Sequence, residues 1–452
     1  MSNKTWSRLG FRANPYSTDP LTVREEDVEL LLGRLDEQVD FQTAIESETN
    51  GTLILSGVPG VGKTSFLNVQ QYLLETGKAD FGRKILSARQ LCVVHPHDEP
   101  MNIALSAVEA LCKSVQEYCN IWGLSIPSET KKTLQWIRQE RGSSFSIGLT
   151  VYGHGGNIGR EVQIPSIDSI SFNGLVDIIE SISSEVVTQL DFEGCFIVLD
   201  NIENLEDDEL RDNLLSFRDT LFTIDNVWWV IIGQSGLSGL IRTQEEKVFQ
   251  RITFDQELLP IEVKDLIKAV DKRVDKFHDG EYEGTSPIPQ EIYTMLFESS
   301  NGEIRFVFKY CQEVCLRVVT DARKLVMSQG FGVADDIFDK VMGQVLVENQ
   351  ISESKVYEHL KNIVVDEIRS LNLKDVEVGV LKKIGELEKV KPSDWQEFES
   401  IEDFDATSSQ TFSHNYLVVL QNKSLLLKRR AGSIVTYQLR GVALLALKFN
   451  LL

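Results

Sequence analysis

Apolar residues along this chain change period several times, and each change predicts an element. Short, nearly unbroken apolar runs at Thr52–Ser56, Leu91–Val94, Cys195–Leu199 and Val227–Ile232 predict strands buried on both faces of a parallel sheet. Between these runs the apolar positions return at helical spacing. Phe66, Leu67, Val69 and Leu73 follow the first run. Met101 to Cys119 carries Ile103, Leu105, Ala107, Val108, Leu111, Cys112 and Val115 on one stripe. Phe249–Phe254 predicts another short strand, and residues 262–325 read as helical. In residues 143–165, Phe145, Ile147, Leu149 and Val151 alternate with polar neighbours, which predicts an inserted β-hairpin that either touches a partner or DNA or extends the sheet.

From residue 374 a compact module is legible. Helices are predicted at Val376–Leu387, at Pro392–Phe398 with proline at its start, and at Ser408–Asn422. A hairpin over Leu425–Tyr437 follows, with Lys428, Arg429 and Arg430 near its tip. Three helices then a hairpin is the winged-helix arrangement. Its third helix has no Lys or Arg before Lys423, a poor composition for reading a major groove, so a protein-docking wing and a DNA contact both stay open. The fold class predicted is α/β: a P-loop NTPase three-layer parallel-sheet domain, a helical lid and a C-terminal winged-helix domain. The expected divisions are a lead-in and helix (1–50), the P-loop core (51–260, with the 143–165 hairpin), the lid (261–330), linker helices (331–373) and the winged-helix-like domain (374–452).

The sharpest chemistry lies just after the first strand. Gly57-Val58-Pro59-Gly60-Val61-Gly62-Lys63-Thr64, followed by Ser65, has the spacing G-x-x-x-x-G-K-T between a strand and a helix. Glycines let the backbone close around phosphate oxygens, and the loop amides with the helix N-terminus face the anion. Lys63 is expected to reach the β- and γ-phosphates and Thr64 to ligate Mg²⁺. ATP and Mg²⁺ are therefore the expected cofactors.

The Cys195–Leu199 run ends in Asp200, placed to order a Mg²⁺ shell. The next residue is Asn201, whose amide cannot act as a general base. Glu203 either takes that role or is a solvated loop residue. Gln234 ends the Val227 strand, where it can sense a γ-phosphate or place water. Arg251 is set to act across a subunit boundary or in a surface salt bridge. Arg305, just inside a helix opened by Gly302, can reach the γ-phosphate from the lid.

Composition narrows the picture. The net charge of −22 argues against a general affinity for nucleic acid but leaves room for a local basic patch. No apolar run approaches the roughly 18–20 residues that span a bilayer, and the first residues lack an apolar signal core, so a cytoplasmic protein without membrane contact is expected. Cysteines at 92, 112, 119, 195, 311 and 315 are scattered through apolar patterns and read as buried free thiols. His95 and His97 flank a proline without a third ligand in view, and read as loop residues.

The order of these parts resembles the AAA+/STAND P-loop ATPases, nearest the archaeal origin-recognition ATPases and the secretion- and transposition-associated ATPases. The carrying residues are Gly33-Arg34, the loop at 57–64, Leu199-Asp200-Asn201, Gly233-Gln234, Gln250-Arg251-Ile252, Gly302-Glu303-Ile304-Arg305 and the winged helix. The resemblance implies a five-stranded parallel sheet and a lid, with ATP at their junction and often at a subunit interface. By position, Arg34 joins the nucleotide site, Gln234 resembles sensor 1, Arg251 an arginine finger and Arg305 sensor 2. Asn14-Pro15-Tyr16 and the Asp-Asn-x-Glu pattern look most like bacterial ATPases of phage-defence and mobile-element operons.

Three functional readings follow. One is an ATP-driven switch that hydrolyses slowly and controls self-assembly or the docking of a protein effector. Another is a DNA-dependent ATPase of transposition, replication or repair. The last is a nucleotide-held scaffold without hydrolysis.

Overall fold

The computed structural model describes residues 4–79, 82–140, 170–278, 287–330, 341–342, 353–431 and 434–452. The 143–165 hairpin and residues 331–340 and 343–352 of the 331–373 linker lie outside them.

The long apolar runs do form a parallel sheet. Its strands are β1 (Gly51–Gly57), β2 (Ile85–Ser87), β3 (Cys92–Val93), β4 (Gly194–Asp200), β5 (Val227–Gly233) and β6 (Ile252–Leu258), in the order β2-β4-β5-β1-β6 with β3 beside the end of β4. Every pairing is parallel. Strand β4 explains why the run is unbroken: Cys195, Ile197 and Leu199 enter one core, while Phe196 and Val198 enter the other. Helices at Pro100–Trp122 and Phe172–Gln189 cover the first face. Phe41 and Phe66, from helices Leu35–Ser47 and Lys63–Glu75, cover the second.

Two strand expectations are corrected. The Leu91–Val94 run contributes only Cys92–Val93, while Ile85–Ser87, too short to show a period, takes the main place beside β4. Over Phe249–Phe254 the chain forms a helical turn at Glu246–Phe249 and then strand β6. This strand lies at the sheet edge, so its outward residues Thr253, Asp255 and Glu257 are exposed and no unbroken run marks it. Among the described residues the sheet therefore has six strands, where the resemblance implied five.

Beyond β6 come the lid helices Val263–Phe277, Gln290–Ser299 and Ile304–Ser328. The winged-helix domain follows: helix Asp375–Leu387, a 3₁₀ turn at Pro392–Phe398, a third helix and the hairpin β7 (Leu426–Ala431) and β8 (Ile434–Leu439). The third helix carries a π turn at Ser413–Leu417 between α-helical ends. Lid and winged domain share one hydrophobic cluster, which also takes Trp6, Phe11 and Tyr16 from the start of the chain. Trp6, Phe11 and Tyr16 of the lead-in are thus packed with the lid.

Candidate functional site

Three neighbouring strands bring the predicted residues together. Strand β5 runs between β1 and β4, pairing Leu55 and Asp200 with the same residue, Ile232, while Ser56 pairs with Gly233. The P-loop leaves the end of β1, Asp200 ends β4, and Gln234 follows β5 between them. In parallel sheets this carboxyl edge is where ligands bind. A cavity of about 440 Å³ opens there, and residues 59–65, Arg34, Asp200, Asn201, Gln234 and Arg305 all line it.

The loop closes through backbone conformations that side chains resist. Gly60 has φ of 76° and Gly62 has φ of 101°, and Gly62 leads directly into helix Lys63–Glu75. The Lys63 ammonium donates to the carbonyls of Gly57 (2.8 Å) and Val58 (3.2 Å). These two residues form the base of the loop. Arg34 is buried, at 3% exposure, and donates to the Val61 carbonyl (3.1 Å) and to Glu37 (2.7 Å). It therefore braces the loop from behind as well as lining the cavity.

Asp200 is half-buried, and burial pushes its carboxyl above the usual aspartate range. A hydrogen bond from the Asn201 amide (3.0 Å) and the charge of Lys63 oppose that shift. Asn201 takes a left-handed conformation, φ 61°, which turns the chain away from β4. The carboxylate and the Thr64 hydroxyl are hard oxygen donors that both line the cavity, the kind of set that suits Mg²⁺ with phosphate oxygens. Among the described residues no cluster of His, Cys, Asp and Glu offers a self-sufficient metal cage.

Arg305 is exposed at the mouth and, among the described residues, makes no hydrogen bond or ion pair. Arg251 is not brought to the cavity. It is 54% exposed and stands 3.7 Å from Asp219. The side chain of Glu203 lies outside the described ones. The Ser65 hydroxyl accepts from the Leu21 amide (3.1 Å). The six cysteines are free and buried.

Sequence reasoning missed a wall of the site. Residues Ser17–Leu21 form a strap along it, and Leu30, Leu31, Leu32, Ile261, Arg273 and Phe308 are among the other lining residues. The strap is tied at both ends. Asn14 donates to Gln312 (2.8 Å) and the Tyr16 and Tyr293 hydroxyls meet at 2.8 Å, both on the lid side. On the sheet side, Leu21 is held by Ser65 and by Asn68, whose amide donates to its carbonyl (2.7 Å). One signal for this wall was present: Arg273 occupies a position in the apolar stripe Leu266, Ala269, Val270 and Val274, where a charge is out of place.

No protein-family model matches this chain, and no curated protein does. Among solved structures it is similar to the ORC2 protein of Aeropyrum pernix in ADPNP–ADP complexes, at 12% identity and TM-score 0.44 over 97% of each chain. It is also similar to the ORC1 protein of Aeropyrum pernix in complex with DNA, at 14% identity and TM-score 0.41 over 98% of this chain and 95% of that one. A point variant of RuvB from Thermotoga maritima aligns at 15% identity and TM-score 0.38, over 95% of this chain and 98% of that one.

Proposed function

We propose that this chain binds ATP with Mg²⁺ at the sheet–lid junction and uses binding and slow hydrolysis as a conformational switch. The observation that carries this reading is the convergence of the P-loop, Asp200, Gln234 and the lid cation Arg305 on one cavity. Lys63 exchanges its loop carbonyls for phosphate oxygens. Thr64 and Asp200 would hold the metal ion, which would supply charge neutralisation to the transferred phosphoryl group. Arg305 has no partner among the described residues to give up, so a γ-phosphate draws the lid toward the sheet.

Turnover is slow in this reading because Asn201 stands where a base is needed, and an amide orients water without taking its proton. Glu203 remains the proposed base, close in sequence. Arg251, exposed and away from its own chain's cavity, is the residue proposed to act on a neighbouring subunit's nucleotide. The output is self-assembly or docking of a protein effector.

One observation favours a DNA-dependent variant: Lys428 and Arg429 are exposed on the wing. Phosphate release and solution mass, measured with and without ATP and duplex DNA on wild type, Lys63→Ala and Glu203→Gln, test these readings. ATP-dependent assembly with slow release, lost in Lys63→Ala and indifferent to DNA, supports the switch. Strong stimulation by DNA replaces it with the DNA-dependent ATPase. Assembly without any phosphate release leaves a nucleotide-held scaffold and removes Glu203 from its role.

A further inference from the structure

Arg273 is the least explained charge near the cavity. It is 9% exposed, lines the cavity wall, and sits on the inward stripe of the first lid helix. One guanidinium nitrogen donates to the Ser17 carbonyl (3.1 Å), and the group lies over the Phe308 ring, 4.6 Å from its centroid. Among the described residues no carboxylate lies within ion-pair distance of it. The nearby acids act only at longer range and have partners: Asp27 is engaged by Thr22 and Lys276, and Asp19 by the Ser17 hydroxyl. Burial without a counter-ion lowers the guanidinium pKa to about 10.

A buried cation without a counter-ion is costly, and bracing a carbonyl needs only a neutral donor. The charges lining the cavity sharpen the point. Among the described residues that line it, the cations are Arg34, Lys63, Arg273 and Arg305 and the acids are Asp19 and Asp200, with Arg34 also paired to Glu37. The lining therefore has an excess of positive charge, suited to a polyanion. The planar fork of an arginine, fixed by Ser17 and Phe308, is pre-organised for a phosphate oxygen.

We propose that Arg273 is a second nucleotide-binding cation of the lid, taking a phosphate oxygen from inside the cavity while Arg305 acts at its mouth. This rests on the nucleotide reading above. Because Arg273 is held in place and Arg305 is free to move, Arg273 serves nucleoside di- and triphosphates alike, whereas Arg305 favours the triphosphate.

The test uses the full chain. Calorimetric titration with ADP and a non-hydrolysable ATP analogue, both with Mg²⁺, is run on wild type, Lys63→Ala, Arg273→Ala, Arg273→Gln and Arg273→Lys. Thermal midpoints are recorded with and without nucleotide. Arg273→Gln keeps a donor for Ser17 but no charge. It is expected to hold the ligand-free midpoint, or raise it, while weakening both nucleotides about tenfold or more, the loss expected for a charge-assisted contact. Arg273→Lys restores part of the affinity. If Arg273→Gln and Arg273→Ala bind both nucleotides within twofold of wild type while Lys63→Ala does not, Arg273 is a brace and the proposal is overturned. Failure of wild type to bind either nucleotide overturns the nucleotide reading itself, and this one with it.

Discussion

Glu303 of the lid is ion-paired with Arg440 of the winged domain while its side chain lies against Gly60 of the P-loop. The pair is mostly buried, at 14% and 20% side-chain exposure. The same turn is fastened to the winged domain by three more hydrogen bonds. Gln438 donates to Asn301 (2.8 Å), Asn301 to the Leu439 carbonyl (3.2 Å), and the Gly441 amide to the Ser299 carbonyl (2.8 Å). Phosphate loop and winged domain thus meet on one short turn of the lid.

Removing one member of that pair strands the other charge. Arg440→Ala is expected to cost about 3 kcal/mol, measured as a lower urea midpoint, with faster amide exchange in β7 and β8. Exchanging the charges, Glu303→Arg with Arg440→Glu, is expected to recover part of the loss. A midpoint within experimental error of wild type for Arg440→Ala would show that the pair contributes nothing to docking.

Gly60 has no room for a side chain. A Cβ there would lie 2.2 Å from Glu303 Cγ, and φ of 76° is strained for any other residue. Gly60→Ala is expected to weaken nucleotide binding at least tenfold and to lower stability by roughly 1–2 kcal/mol. Equilibrium titration and chemical denaturation check the two effects separately.

Asp200 sets a pH dependence. Its folded pKa is raised above the ordinary aspartate value of 3.8, so in the window between the two values the folded state holds a proton that the unfolded state has released. Stability of the nucleotide-free protein therefore falls as pH rises through that window, and the full penalty persists at neutral pH. Asp200→Asn is expected to raise the nucleotide-free thermal midpoint at pH 7 and to abolish Mg²⁺-dependent nucleotide binding. A lower midpoint at pH 7 would contradict the burial argument.

The strap depends on single side chains. Asn68→Ala removes the donor to the Leu21 carbonyl and is expected to cost about 1 kcal/mol of stability, with a several-fold loss of nucleotide affinity. Loss of stability with unchanged affinity would mean that the strap does not close the site.

What the sequence revealed divides along the range of the interactions. The loop from Gly57 to Thr64 was legible because all its chemistry is local, and Asp200 and Gln234 because both end unbroken apolar strands. Arg273 was hidden in an amphipathic helix, since a single charge in an apolar stripe does not say what faces it. The strap was hidden because its partners, Gln312 and Tyr293, lie 298 and 277 residues further along the chain. Strand β2 has only three residues and shows no period. Docking of Arg440 on Glu303 spans 137 residues, and no local pattern announces it.

The strap also dictates an order of events during synthesis. Its residues leave the ribosome first, but the lid positions that anchor them, Arg273, Tyr293 and Gln312, emerge hundreds of residues later. Among the described residues the last strand of the parallel sheet ends at Leu258, so a nascent chain carries the whole glycine-rich loop and these strands while the opposite wall is still missing. A chain interrupted before Gln312 lacks the anchor for Asn14, so the strap is tied at its lid end only after the lid has been made.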